Sequence, residues 1–467
     1  MKKPDFLSVD DAMCLTEKEN AKLFCDHLNP AQFRFLKLLG FHEVLIDHAE
    51  GLYYYDRSGN KIMDLFGGFG AIALGHNHPR ILAVRRRFEE EKRHEMAMAF
   101  ISQYASALAR NLSLVAPEGL DIVFLGSTGS EVVEAALKLA EKVQGRARST
   151  TIYAEASFHG KSRGALSVTD SPFYQSSFEL LRNNIRVPFG DTQALETLFK
   201  SNPEIGILIL ETVQGGAGII PAPVEYWQTV RQLCTKYKVI WIADEVQCGM
   251  GRTGKFFAFE HAGVAPDIVV TAKALGGGKC AMAAMISRKD LYMTAYGTSD
   301  TAMIHGPSTF SGMGEACCTA IETLHVLYDE GLIDNSAAMG ALMLDELKRI
   351  QAKHSSLIRD VRGQGLMVGI EFHDFSNTVP GLLKGIVSSF DERLKGSLCG
   401  FVGSILLRDY KILVAFTEYN RNVIRIEPPL IISRAEVLRF TGALDEILTN
   451  GISRMVMNYA RNFLKVI

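Results

Sequence analysis

Between Ile242 and Gly254 the chain reads IADEVQCGMGRTG, and Thr271–Gly278, one further strand along, reads TAKALGGG. Asp244 closes one apolar run. Lys273 follows another and sits among Ala272, Ala274 and Gly276–Gly278, whose small side chains leave room beside it. Lysines are rarely fully buried, and a buried amine without a partner is costly. Opposite charges emerging from two apolar runs therefore call for a fold that brings the ends of both runs to one pocket. An exposed loop position for Lys273, and an ion pair or helix cap for Asp244, are the plainer alternatives.

The region from about 120 to 290 indicates which fold does this. Ile122–Leu125, Thr151–Ala154, Ile207–Glu211, Val239–Asp244 and Ile268–Thr271 are short, rich in β-branched residues and lack clean alternation. Strands buried on both faces read this way, which implies a parallel sheet covered by helices. Between them lie amphipathic segments such as Glu131–Val143, with Val132, Ala136, Leu139, Ala140 and Val143 at helical spacing. The expected class is α/β, with a mainly parallel central sheet and binding at the carboxyl ends of its strands.

The flanks differ. Residues 1–66 read as helical segments followed by VLIDHAEGLYYYDRSGNKIMDL, a strand–turn pattern with Asp56–Asn60 as the turn. After residue 320 a long helical pattern leads to VRGQGLMVGIEF, read as one strand entered through glycines. NVIRIEPPLIIS reads as another strand, closed by two prolines. The expected division is a large domain over 67–330 and a smaller α+β domain built from 1–66 and 331–467. The apolar stretch 374–412 is read as core or dimer packing, with a wall or access channel for a long substrate as the sharper alternative.

Composition narrows the function classes. Fifty basic against 52 acidic residues give a net charge of -2, too little for a field that would gather nucleic acid or an anionic membrane. The opening MKKPDFLSVDDAM has no apolar run behind its lysines, so no secretory signal is expected, and no apolar stretch approaches a membrane span. Eight scattered cysteines without C-x-x-C spacing suggest reduced, cytoplasmic usage. The histidines form no metal-type cluster, so no metal is expected.

The chemistry follows from Asp244, Lys273 and one loop. Gly126–Glu131, GSTGSE, follows a strand and opens a helix, and Thr128 with Glu131 fits a T-x-x-E capping box. Such a helix start binds anions, and Gly129 and Ser130 are the candidates to hold a phosphate; a cap and nothing more is the alternative. A carboxylate that keeps a ring nitrogen protonated and an amine that forms a Schiff base are what pyridoxal phosphate requires.

These residues resemble those of class III aminotransferases, pyridoxal-phosphate enzymes of fold type I. The likeness runs from about Glu50 to Ile432 through GLYYYD, GNKIMDL, LGHNHP, GSTGSEVVEAALKLA, FHG, ETVQGGAG, ADEVQCGMGRTG, TAKALGGG, STF and RIEPPL, in that order. It implies that Lys273 carries the cofactor and shuttles a proton, and that Asp244 pairs with the ring nitrogen. Phe158 would stack on one ring face and Val246 press on the other, with Gln247 near the ring hydroxyl. His159 is a supporting residue rather than a catalytic one, and Glu211 belongs with the cofactor-binding group. Thr309 would reach the phosphate of the neighbouring subunit, which implies a homodimer with shared sites.

The resemblance also makes Arg425 the residue that takes the carboxylate of an amino acid or 2-oxo acid; a pair with Glu427 is the alternative. Gly216 is a departure, because ornithine- and 4-aminobutyrate-type relatives place there a glutamate that neutralises this arginine. Glycine is expected to leave more space. STFSGMGEACC departs too, since many relatives carry asparagine and proline after the TF pair. The implied reaction moves an amino group from a primary amine, diamine or ω-amino acid to a 2-oxo acid by ping-pong half-reactions. An aminomutase or decarboxylase on the same fold would keep Lys273 and Asp244, and a non-catalytic binding module is the alternative from another class.

Overall fold

Seven strands form the central sheet of the computed structural model, which describes residues 4, 6–38, 41, 44–96, 99–304, 308–374, 398–417 and 419–450. In chain order the strands of the described residues are β1 Ile46–Glu50, β2 Tyr53–Asp56, β3 Lys61–Asp64, β4 Ile122–Gly126, β5 Thr150–Ala154, β6 Asn184–Val187, β7 Ile205–Glu211, β8 Val213–Gln214 and β9 Ile220–Pro221. Then come β10 Ile240–Asp244, β11 Ile268–Thr271, β12 Ala283–Ser287, β13 Ile358–Gln364, β14 Met367–Phe372, β15 Ile412–Leu413, β16 Ala415–Phe416 and β17 Val423–Ile426.

The central sheet has the order β4-β12-β11-β10-β7-β5-β6. The pairs β11–β10, β10–β7, β7–β5 and β5–β6 are parallel, whereas β12 runs antiparallel to both of its neighbours. The sheet is mainly parallel, as its apolar runs imply. Sequence reading missed β12, AAMIS, and β6, NIRV, which are short, at five and four residues. Every residue of β7, β10, β11 and β12 is buried. The helix Gly129–Gln144 crosses this sheet and buries Val132, Val133, Ala135, Ala136, Leu139 and Ala140, the stripe expected from its spacing.

Both ends of the chain meet in smaller sheets. The meander β1–β2–β3 turns at Asp56–Asn60, where Asp56 Oδ1 accepts the N–H groups of Ser58 and Asn60. Parallel to β3 runs β15 from the far end of the sequence. The segment VRGQGLMVGIEF is not one strand but the turn of a hairpin: β13 and β14 pair antiparallel around Gly365-Leu366, and β14 pairs in turn with β17. Gly365 has φ +54°, the left-handed conformation that a two-residue turn needs, so its glycines mark a reversal rather than an entrance. Of the apolar stretch 374–412, the helix Leu398–Tyr410 is buried from Leu398 to Leu407, which is core packing; 375–397 lie outside the described residues.

The hairpin tip matters because it buttresses the glycine-rich motif. Leu366 N–H donates to the Arg252 carbonyl at 3.0 Å, the Arg252 guanidinium returns a bond to the Leu366 carbonyl at 3.1 Å, and Ser336 Oγ holds the same Arg252 carbonyl at 2.7 Å. Ser336 belongs to the helix Leu332–Lys353, whose Gly340 lies against Gly365. A Cβ on Gly340 would come within 2.2 Å of Gly365 backbone. Gly340→Ala should thus force two backbones apart and cost about 1–3 kcal/mol. Gly442→Ala, on an exposed helical face with nothing within 4 Å of the added carbon, should gain about 0.5–1 kcal/mol. Scanning calorimetry checks the pair: the first variant melts below the wild type, the second at or above it, and equal midpoints would refute the tight glycine contact.

Candidate active site

The carboxyl edge of the sheet gathers the charges. Glu211 ends β7 and Asp244 ends β10, and the two are register partners. Lys273 stands two residues past the end of β11, the next strand over. Its φ is +45°, in the left-handed region that a side chain with a Cβ seldom adopts. That conformation carries a local cost of about 1–3 kcal/mol, of the kind retained where a side chain must be aimed.

Gly129, Ser130, Phe158, His159, Glu211, Asp244, Val246, Gln247 and Lys273 all line one cavity of about 360 Å³, the size of a small-ligand pocket. Thr309 and Arg425 do not. Thr309 is exposed, in a segment tied to the end of β4 by a hydrogen bond from Ser311 Oγ to the Leu125 carbonyl. Arg425 is buried behind the wall, its guanidinium 5.0 Å from the Phe69 ring centre.

Two donors orient Asp244, which is 4% exposed: the Val246 N–H at 3.0 Å and His159 Nδ1 at 2.7 Å. Contact with a carboxylate assigns the proton to Nδ1. His159 Nε2 is buried and has no partner among the described residues. Glu211 accepts the N–H groups of Phe158 at 2.8 Å and Gly215 at 3.2 Å, which fixes the loop carrying Phe158. Burial raises the Glu211 pKa to about 7; the nearby His159 opposes the rise and Asp244 adds to it. The Lys273 amine is shifted down from its usual value, first by burial, against the attraction of Glu427. Part of the Lys273 side chain opens on the cavity, and no hydrogen bond or ion pair holds its amine among the described residues.

The loop before Gly129–Gln144 caps the helix differently from a reciprocal box. Thr128 Oγ1 accepts the Glu131 N–H at 3.2 Å, but the Glu131 carboxylate reaches back one residue further, to the Ser127 N–H at 2.7 Å. The first helical N–H groups lie beside the cavity, and Val246 sits 3.1 Å from where a Gly129 Cβ would be. An unpartnered amine, an oriented carboxylate and a helix start fit pyridoxal phosphate: Lys273 would hold its aldehyde carbon, Asp244 its ring nitrogen, and Gly129 and Ser130 its phosphate.

Three features depart from the leading sequence reading. Gly216 does not open space, because the Tyr419 ring fills it: a Cβ at Gly216 would lie 3.1 Å from Tyr419 Cε2. Tyr419 is locked there by its hydroxyl, which donates to the Ser157 carbonyl at 2.9 Å, while Thr417 donates to the Gly216 carbonyl. No pattern in TEYNRN announces this. Glu427 is the second feature: it pairs with Arg425 at 2.6 Å, the alternative that residues two apart on one strand face permit. Gln247 is the third, since its amide nitrogen goes to Glu427 at 2.7 Å and to the Phe69 carbonyl at 3.3 Å.

Known proteins share this arrangement of chain. The family model for class-III aminotransferases matches residues 40–448. A putrescine aminotransferase of Pectobacterium atrosepticum is 34% identical over 455 residues, covering 95% of this chain and 91% of that protein. Aminotransferase PigE of a Serratia species is 33% identical over 455 residues and 90% of this chain, but the match spans only 53% of that longer protein. The crystal structure of ornithine aminotransferase from Toxoplasma gondii superposes with a TM-score of 0.80 at 26% identity, covering 95% of this chain and 98% of the other. An (S)-enantioselective ω-transaminase from Thermomicrobium roseum gives 0.79 at 27%, covering 96% and 99%. With this extent of match, the chain belongs to the class III aminotransferases, the pyridoxal-phosphate-dependent transaminases of fold type I.

Proposed function

We propose that this chain takes the amino group of a primary amine, a diamine or an ω-amino acid and delivers it to a 2-oxo acid in two half-reactions that share one cavity. The observation that carries this reading is the unpartnered Lys273 amine, set beside Asp244 and Glu211 at the ends of neighbouring strands.

Pyridoxal phosphate supplies a protonated ring that accepts the electron pair left on the substrate carbon. The protein does the rest. Lys273 would hold the cofactor covalently, and its lowered pKa increases the fraction of free amine available for that bond. With a substrate amine in the cavity, Lys273 Nζ would be placed to take the proton from the amine-bearing carbon and return it elsewhere. His159 and the Val246 N–H hold the Asp244 carboxylate in place. Phe158 and Val246 form apolar walls that restrict water.

A second copy of the chain would complete the site. The partner subunit's Thr309 would reach the phosphate, in keeping with its exposure and its absence from the cavity of its own chain. Phe100 and Ile101 are 82% and 92% exposed, and Phe310 and Met303 lie open near Thr309, an apolar surface that a homodimer would cover. A large unit over 67–330 would carry the cofactor, with 1–66 and 331–467 as the smaller unit. None of the eight cysteines is in a disulfide, in keeping with a cytoplasmic setting, and no helix among the described residues is long and apolar enough to cross a membrane.

Borohydride reduction of the loaded enzyme, followed by peptide mass spectrometry, should place the cofactor's mass on Lys273. Lys273→Ala should lose that label and the visible band, with turnover down by at least about 10²–10⁴-fold, while the protein stays folded. A label on another lysine would overturn the assignment.

Glu211 gives a pH test. Its pKa is raised on folding, so its contribution to stability is complete below the unfolded value of 4.5 and lost as pH rises through about 7. The melting temperature of apoprotein should fall from pH 5 to 8, and less steeply in Glu211→Gln; identical slopes would contradict the shift.

A further inference from the structure

The peptide unit between Ser157 and Phe158 is held at both of its polar atoms. Its N–H, on Phe158, donates at 2.8 Å to Glu211, the last residue of β7. Its carbonyl, on Ser157, accepts the Tyr419 hydroxyl at 2.9 Å and the Asp170 N–H at 2.9 Å. Tyr419 comes from elsewhere in the fold, between the antiparallel strands β16 and β17 of the small sheet. Resting on the aminotransferase reading of this cavity, we propose that Tyr419 is a positioning residue: its hydroxyl latches the small sheet onto the Phe158 peptide and so sets the aromatic wall against which the cofactor ring is held.

The geometry leaves the latch little freedom. Thr417 Oγ1 donates to the Gly216 carbonyl and accepts the N–H groups of Tyr419 at 3.2 Å and Asn420 at 3.3 Å. That seats the Tyr419 ring over Gly216, where an added Cβ would lie 3.1 Å from Tyr419 Cε2 and 3.5 Å from Phe158 Cβ. The absence of a side chain at Gly216 is what gives the ring its seat. Burial first, and the Glu211 charge second, raise the Tyr419 pKa, so the hydroxyl stays protonated and remains a donor. Beyond Phe158 the backbone is fixed again, by the His159 N–H to Thr169 Oγ1 at 2.9 Å. With the planar peptides on both sides of Phe158 pinned, its side chain has few directions open to it. Without the hydroxyl, the first of these planes keeps Glu211 and Asp170 and loses its tie to the small sheet. Contact between two aromatic rings depends on their mutual orientation, so a Phe158 free to tilt holds a planar ring less well. The loss falls on cofactor retention rather than on the fold.

Pyridoxamine phosphate tests this, because it has no aldehyde for Lys273 and is held by noncovalent contacts alone. Tyr419→Phe keeps the ring and removes only the donor. In calorimetric titration it should bind pyridoxamine phosphate about three- to tenfold more weakly than wild type, the worth of one neutral hydrogen bond. In apoprotein, hydrogen exchange should quicken in the peptide that carries Phe158 and stay unchanged across β10 and β11. Gly216→Ala, which presses on the ring from the other side, should give both changes. The double variant should be little worse than either single one, since both break the same latch. Wild-type affinity and wild-type exchange in folded Tyr419→Phe overturn the proposal. So does exchange that quickens evenly through the chain, which would make the ring core packing only. If one single variant does not fold, the other carries the test; failure of both also overturns the latch. The aminotransferase reading fails separately, if wild-type protein binds neither pyridoxamine phosphate nor pyridoxal phosphate, an outcome that leaves the local exchange difference in apoprotein standing.

Discussion

The contact between His159 and Asp244 is the interaction on which the site depends. Asp244 leaves a strand buried on both faces, where a carboxylate needs donors to offset lost hydration. Val246 supplies one from the backbone two residues on; the other must come from a distant segment, and His159 Nδ1 provides it at 2.7 Å. That bond draws the loop 155–160 onto the sheet edge. The same loop is held at Phe158 N–H by Glu211, the register partner of Asp244. Two adjacent carboxylates therefore position one aromatic wall and one imidazole, and Lys273 faces the result. Burial raises Glu211 to about 7, and the second acid on this edge adds to the rise while His159 opposes it.

Support for that edge comes from the C-terminal third of the chain. The glycine-rich turn after Asp244 carries Arg252, which is fully buried and bonded to the Leu366 and Pro428 carbonyls. Desolvation lowers its pKa to about 10, with Glu427 and Asp64 opposing the fall. Arg252 is thus a tie between the central sheet, the hairpin tip at Gly365 and the strand that bears Arg425. Movement of the hairpin would be felt at the motif within a few residues. This explains why a glycine contact between Gly340 and Gly365, outside the cavity wall, belongs to the architecture of the site.

Much of this was legible from residue order. Long buried strands such as Ile205–Glu211 declare themselves through unbroken apolar character, and small neighbours advertise the pocket around Lys273. Nine proposed site residues converge on one cavity because each sits at a strand end, in the segment after it or at the helix start that follows. What was hidden depends on contacts across the sequence. β12 is antiparallel in a parallel sheet, and nothing in AAMIS encodes direction. The hairpin at Gly365 looked like one strand because β13 and β14 are separated by only two residues. Tyr419 meets Gly216 across some 200 residues, a distance at which periodicity carries no information.

Gly216, Tyr419 and Glu427 are best understood together. A carboxylate missing at one point of a pocket does not leave the opposing arginine uncompensated if another carboxylate can reach it from elsewhere. Glu427 lies one residue past the end of β17 and two from Arg425, so the pair forms at a fixed spacing along the chain. Tyr419 in turn occupies the region beside Gly216 with an aromatic ring, anchored by its hydroxyl to Ser157 and so to the loop of Phe158 and His159. The consequence is a site whose polarity is set from the small sheet β13-β14-β17-β16 rather than from the central one. The cavity lies at the carboxyl ends of the parallel strands, and the Arg425–Glu427 pair and the Tyr419 ring are packed against it from that smaller sheet and the loop beside it.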